Sequence, residues 1–170
     1  MEKKVTSAPL MGLLIALVLI VYSLIMYFTD LYTEPWNQWV GLILLVGAII
    51  FAVLFHAKEK EHYVTFGNLF AFGFKVIAAS TCIMILYLLL QDMIFPDIKT
   101  NILEMSRAQM AKRPGVSEAD VNRSLEIFEK NYTLFLVLGV LFWNLLIGVV
   151  ASLIGAAVAK KRPVDEFDKI

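Results

Sequence analysis

From Leu134 to Ala159 the chain runs for 26 residues without one charged side chain, and Lys160, Lys161 and Arg162 then close the run abruptly. A helix rises about 1.5 Å per residue and a bilayer core is about 30 Å thick, so a stretch this long spans with tilt or projects beyond the bilayer. A second such run, Ala8 to Phe28, has 21 residues and no charge. A third opens at Trp36 and Trp39, rings suited to the headgroup level, and stays uncharged to Phe55. A fourth follows Lys75 and extends from Val76 to Phe95, carrying Asp92 about one turn before its end. Composition agrees: 59% of residues are hydrophobic and 18% charged, against about half and a quarter in soluble domains. The formal net charge of zero offers no basic footprint for nucleic acid, and the single cysteine, Cys82, cannot form an internal disulfide.

These runs predict an all-α polytopic membrane protein, a single membrane domain over residues 1–170 with four transmembrane helices at about 8–28, 36–55, 76–95 and 134–159. Lys3 and Lys4 resemble the start of a signal peptide, but the apolar stretch exceeds the ~7–15 residues of such a segment, so the first span is expected to remain. Before span three, Tyr63, Phe66, Leu69, Phe70 and Phe74 predict an amphipathic lead-in lying along the membrane surface. Between spans three and four, residues 97–133 predict an outer helical hairpin. Ile98, Ile102 and Met105 recur at helical spacing, Pro114 and Gly115 supply a turn, and Ser117 with Asp120 three residues on reads as a helix start. Val121, Leu125 and Phe128 line the apolar face of the second helix.

Flanking charges predict the orientation, because cytoplasmic flanks collect Lys and Arg. One side gathers the N-terminus, the connection from His56 to Lys75 and the C-terminal tail, with nine basic residues against six acidic. The other side holds six basic against nine acidic. Both termini are therefore expected in the cytoplasm, and the zero net charge is the sum of two opposed faces.

Several stretches carry a resemblance: the MEKK start, the short acidic loop with Trp36, YVTFGNLFAFGFKV entering span three, GVSEADVNRSLEIFEK before span four, and the SLIGAAVAKKR ending. Together they make nearly the whole chain similar to the bacterial domain-of-unknown-function family 4199, small integral membrane proteins with four predicted helices. The resemblance implies that architecture and a bacterial inner-membrane location. It implies no activity and supplies no catalytic residues.

Buried ionisable residues mark transport paths in membranes, and this chain has none at the centre of a proposed span. Asp92 reads as a carboxylate at the outer interface, and Lys75 as a side chain snorkelling to anionic headgroups, as do Lys160, Lys161 and Arg162. Asn144 is the deepest polar candidate; Ser80, Thr81 and Cys82 in span three and Ser23 in span one are expected to meet it. Gly148, Ser152 and Ala156, four apart, form a small-residue row for close helix approach, within one chain or between two copies, and Gly12/Ala16 and Ala48/Ala52 offer shorter versions. His56 and His62 are six apart with lysines between them, spacing that suits a solvated charged turn better than a metal site. No nucleophile motif or phosphate loop occurs. The expectation is a non-enzymatic four-helix bundle that acts through helix or lipid contacts as an accessory or structural subunit. It would use no cofactor, and its partners would be membrane lipids and a second copy or another membrane protein. The alternative is a small oligomeric transporter or channel lined by Asn144, Ser80, Thr81 and Asp92.

Overall fold

A computed structural model describes residues 5–112, 115 and 117–162. Lys3 and Lys4, the turn residue Pro114 and the tail residue Lys169 lie outside the described residues. Among the described residues the chain is helical: α1 Ala8–Phe28, α2 Asn37–Glu59, α3 Phe66–Ile94, α4 Pro96–Ala111, α5 Glu118–Lys130 and α6 Tyr132–Val158. α1, α2, α3 and α6 are each long and apolar enough to cross a membrane. The chain forms two compact units, one from the residues up to Met84 together with those from Phe142 on, the other Ile85–Leu141.

In the first unit each long helix buries one stripe at helical spacing. On α1 it is Ala8, Met11, Gly12, Ile15 and Ala16; on α2, Leu45, Ile49, Ala52, Val53 and Ala57. On α3 it is Leu69, Phe72, Gly73, Val76, Ile77, Ser80 and Thr81. The remaining faces are apolar too: Leu13, Leu17, Val18, Val21 and Ile25 on α1 are exposed, as are Ile43 and Phe51 on α2. A helix apolar all round with only one face covered by protein has lipid as its complementary solvent, which makes this an integral membrane protein.

The stripes lie toward the end of the unit where α1 and α3 begin and α2 and α6 end, the basal end below. There Thr6 donates to Glu59 through both its backbone N–H (3.0 Å) and its hydroxyl (2.7 Å). The end of α2 closes in a Schellman arrangement: His62 N–H donates to Ala57 O (2.8 Å) and Glu61 N–H to Lys58 O (3.0 Å), with Glu61 in the left-handed region at φ 52°. The charged turn expected from His56 is thus helix as far as Glu59. Further from the basal end, Tyr22 hydroxyl donates to Asn37 Oδ1 (2.5 Å) while Asn37 Nδ2 donates to Tyr32 O (3.2 Å), clasping α1 to the start of α2.

The lead-in expected along the membrane surface is corrected: it is the first third of α3 itself, continuous to Ile94. Leu69 is fully buried against Val53, Ala57 and Ala156, so helix packing claims that face in place of a headgroup surface. Phe66 and Phe74 stay exposed. Thr65 starts the helix, its Oγ1 accepting from Asn68 N–H at 3.2 Å. Thr65→Ala is expected to lower the unfolding free energy by about 1 kcal/mol, with Thr65→Ser near wild type; a detergent unfolding titration of the two variants reads this directly.

The second unit contains the predicted hairpin. Pro96 opens α4 after Phe95, and Ser117 Oγ accepts from Asp120 N–H (3.2 Å) as the cap of α5. Val121 and Leu125 are buried, and Phe128 stacks on Phe135 with centroids 5.7 Å apart. On α4 the half-buried residues are Ile98, Lys99, Asn101, Ile102, Leu103, Ser106 and Met110, whereas Met105 is exposed.

Candidate functional site

Away from the basal end the four long helices enclose a cleft of about 630 Å³. Leu19, Tyr22 and Ser23 of α1, Gln38, Trp39 and Leu42 of α2, Met84 of α3, and Trp143 and Asn144 of α6 contribute to its wall. The wall is apolar apart from one phenol, one hydroxyl, two amides and two indole N–H groups, and among the described residues it holds no carboxylate, ammonium or imidazole. Trp39 and Trp143 are 61% and 59% exposed, so both indoles stand at the boundary between cleft and surroundings. Tyr22 spends its proton on Asn37; the amides of Gln38 and Asn144 and the indole N–H groups of Trp39 and Trp143 are further polar groups of the lining residues.

The cleft exists because packing is uneven along the helices. Near the basal end small residues bring backbones together. A Cβ on Gly12 would lie 2.7 Å from Val76 O, and a Cβ on Gly73 would lie 2.5 Å from Ser152 Oγ and 2.8 Å from Val53 Cγ2. A Cβ on Gly148 would collide with Ile77. Higher up, Tyr22, Trp39 and Trp143 stand beside the cleft, and Gly41 has only the Tyr22 ring near it, at 3.8 Å from where a Cβ would lie.

Asn144 and Ser23 share the cleft wall, as the span positions suggested. Ser80 and Thr81 do not join them: both are buried to 1% in the helix contacts and lie outside the wall. Cys82 faces outward, exposed on α3. The helical period explains the separation, since Thr81 and Cys82 lie about 100° apart around the axis. Asp92 is half-buried in the second unit and is not among the lining residues.

Gly148 and Ser152 of the small-residue row pack against α3, and Ala156 against α2 and α3, all within the chain. Ala16 and Ala52 are fully buried, with Ala52 packed among α1 and α3 residues. The closing basic residues have local partners. Lys160 O accepts from His62 Nδ1 (3.0 Å), Arg162 N–H donates to His62 O (2.8 Å), and Lys161 Nζ lies 5.7 Å from the Phe66 ring centroid. They tie the end of α6 to the α2–α3 connection. Lys75 is exposed. His56, read as part of a charged turn, stacks on Phe72 with centroids 3.8 Å apart. Among the described residues no group of three or more His, Cys, Asp or Glu could hold a metal ion. Sequence reasoning missed Tyr22, Gln38 and Trp143 as cleft residues; the aromatic–polar pair Tyr22-Ser23 interrupting the apolar run of the first span was the available signal.

The family model described as "Protein of unknown function (DUF4199)" matches residues 10–161, from the third residue of α1 to the basic cluster after α6. No curated protein and no solved structure matches the chain significantly.

Proposed function

From the premise that the chain belongs to the DUF4199 family, proteins of unknown function, we propose a non-enzymatic subunit of the bacterial inner membrane that acts through lipid and helix contacts. Both termini would face the cytoplasm. The observation that carries this reading is the uncharged cleft, lined by all four long helices and flanked by exposed tryptophans. Such a wall suits an acyl chain or a neighbouring apolar helix. Among the described residues it offers no charged group to compensate a desolvated ion and no acid–base pair for catalysis on a bound substrate. Among the residues considered for a transport path, only Asn144 lines the cleft, while Ser80 and Thr81 are consumed in packing.

The test uses cysteine chemistry in intact membranes. In a Cys82→Ser background, Asn144→Cys is expected to react with a lipid-soluble maleimide at least about tenfold faster than with a charged, water-soluble one, because a lipid-filled cleft excludes the hydrated reagent. Comparable rates for both reagents would place water at mid-depth and reverse the conclusion in favour of a transporter or channel.

A further inference from the structure

A second cavity, of about 570 Å³, opens at the basal end and differs chemically from the cleft. One stripe of α3, with Asn68, Phe72 and Lys75 spaced at helical intervals, forms one side. His56 and Lys60 from the end of α2 form another. The segment Val5–Ser7 and the first residues of α1, Ala8 and Pro9, complete it.

Lys60 and Lys75, from different helices, therefore both line one cavity, and among the described residues no carboxylate lines it. The nearby carboxylate, Glu59, is held by two hydrogen bonds from Thr6 and is not part of the wall. α1 points its N-terminus into this same space. Ser7 occupies the cap position with its side chain making no cap hydrogen bond, and because Pro9 carries no N–H the first turn offers the N–H groups of Ala8 and Leu10. Unsatisfied N–H groups at a helix start, with the positive end of the helix dipole, favour an anion. The cavity is much larger than a lone phosphate, and Val5, Val64 and Phe72 continue its wall as apolar surface. An anion carrying an organic substituent fills both parts; a bare inorganic ion fills one.

We propose that this cavity binds an anionic phosphate ester, with Lys60 and Lys75 holding the charge and the Ala8 N–H at the start of α1, helped by Ser7 and Asn68, donating hydrogen bonds. The site goes beyond the lipid-contact reading, which rests on the distal cleft, so either can fail while the other stands. The phosphate can arrive as a lipid headgroup or as a soluble ester.

The full chain, purified in an uncharged detergent, is titrated by calorimetry with three probes: short-chain phosphatidylglycerol, short-chain phosphatidylcholine and glycerol 3-phosphate. Phosphatidylglycerol is expected to bind more tightly than phosphatidylcholine. The Lys60→Gln/Lys75→Gln variant is expected to lose about tenfold or more in affinity, while Lys160→Gln/Lys161→Gln, which removes the same charge from the same end, stays within about twofold. Binding of phosphatidylglycerol without glycerol 3-phosphate identifies a headgroup site, and binding of both a site open to soluble esters; each supports the proposal. Equal affinity for the two lipids without glycerol 3-phosphate binding, or equal losses in the two double variants, overturns it. Should the Lys60/Lys75 double variant fail to fold, Lys75→Arg and Lys75→Glu give the same readout, with retention expected in the first and loss in the second.

Discussion

Gly12→Leu is expected to destabilise the protein by about 3 kcal/mol, whereas the same substitution at Gly47 or Gly139 changes stability by less than about 0.5 kcal/mol. All three glycines lie within long apolar helices, and their local sequences alone do not separate them. At Gly12 a Cβ would meet Val76 O at 2.7 Å, Ala79 Cβ at 2.8 Å and Ser80 N at 3.0 Å. Two of these are backbone atoms in the middle of α3 and cannot rotate aside, so the helices themselves must separate. That separation also removes contacts of Ile15 and Met11 with the α3 face around Val76. At Gly47 and Gly139 nothing lies within 4 Å, and leucine gains helix propensity there. Unfolding of the three variants in a denaturing-detergent titration, followed by far-ultraviolet circular dichroism, gives the comparison. Equal losses at all three positions would show that α1 and α3 do not approach at Gly12.

The second large effect is a coupling. Gly148 of α6 sits against Ile77 of α3 so closely that even a methyl group would collide with its branched side chain. Gly148→Ala and Ile77→Ala should each cost about 2 kcal/mol, the first by overpacking and the second by leaving a cavity. The estimate for Ile77 lies at the low end of core truncations because lipid, unlike water, solvates an apolar side chain well in the unfolded protein. In the double variant the new methyl group occupies part of the space that Ile77 vacates. The combined loss should therefore fall short of the sum by about 1–2 kcal/mol. Strict additivity, measured in the same unfolding titration, would mean that these two side chains do not share the contact.

Much of the architecture was legible because the physical requirement is local. Twenty-one uncharged residues must be satisfied by their own helical hydrogen bonds inside a bilayer, and α1 has the expected bounds, Ala8–Phe28. Ser117 with Asp120 marked the start of α5 because a cap acts within one turn. The beginning of α3 was misread for a reason of the same kind. Gly67, Asn68, Gly73 and Lys75 look like interruptions of an apolar span when each residue is priced by itself. In the fold Gly73 supplies the close approach to Ser152 and Val53, Asn68 sits on a cap bond from Thr65, and Lys75 stands on the exposed face. The apparent breaks are positions where a neighbour or solvent supplies what the local sequence lacks.

The candidate sites divide in the same way. Charge at the ends of spans, a polar residue at mid-depth and a row of small residues are all properties of one segment, and Asn144, Lys75 and Gly148 stood out for those reasons. Which of them meet is a property of pairs of helices, fixed by rotation about each axis and by how closely backbones pack. Sequence alone determined that this chain is a set of long apolar helices without charge at their centres, because desolvation acts on each segment separately. Only the tertiary structure decided that Ser80 and Thr81 are packing residues while Asn144 faces a cleft. It also brought Lys60 and Lys75 to one cavity at the start of α1, because rotation about each helix axis, fixed by packing between helices, decides which side chains share a wall.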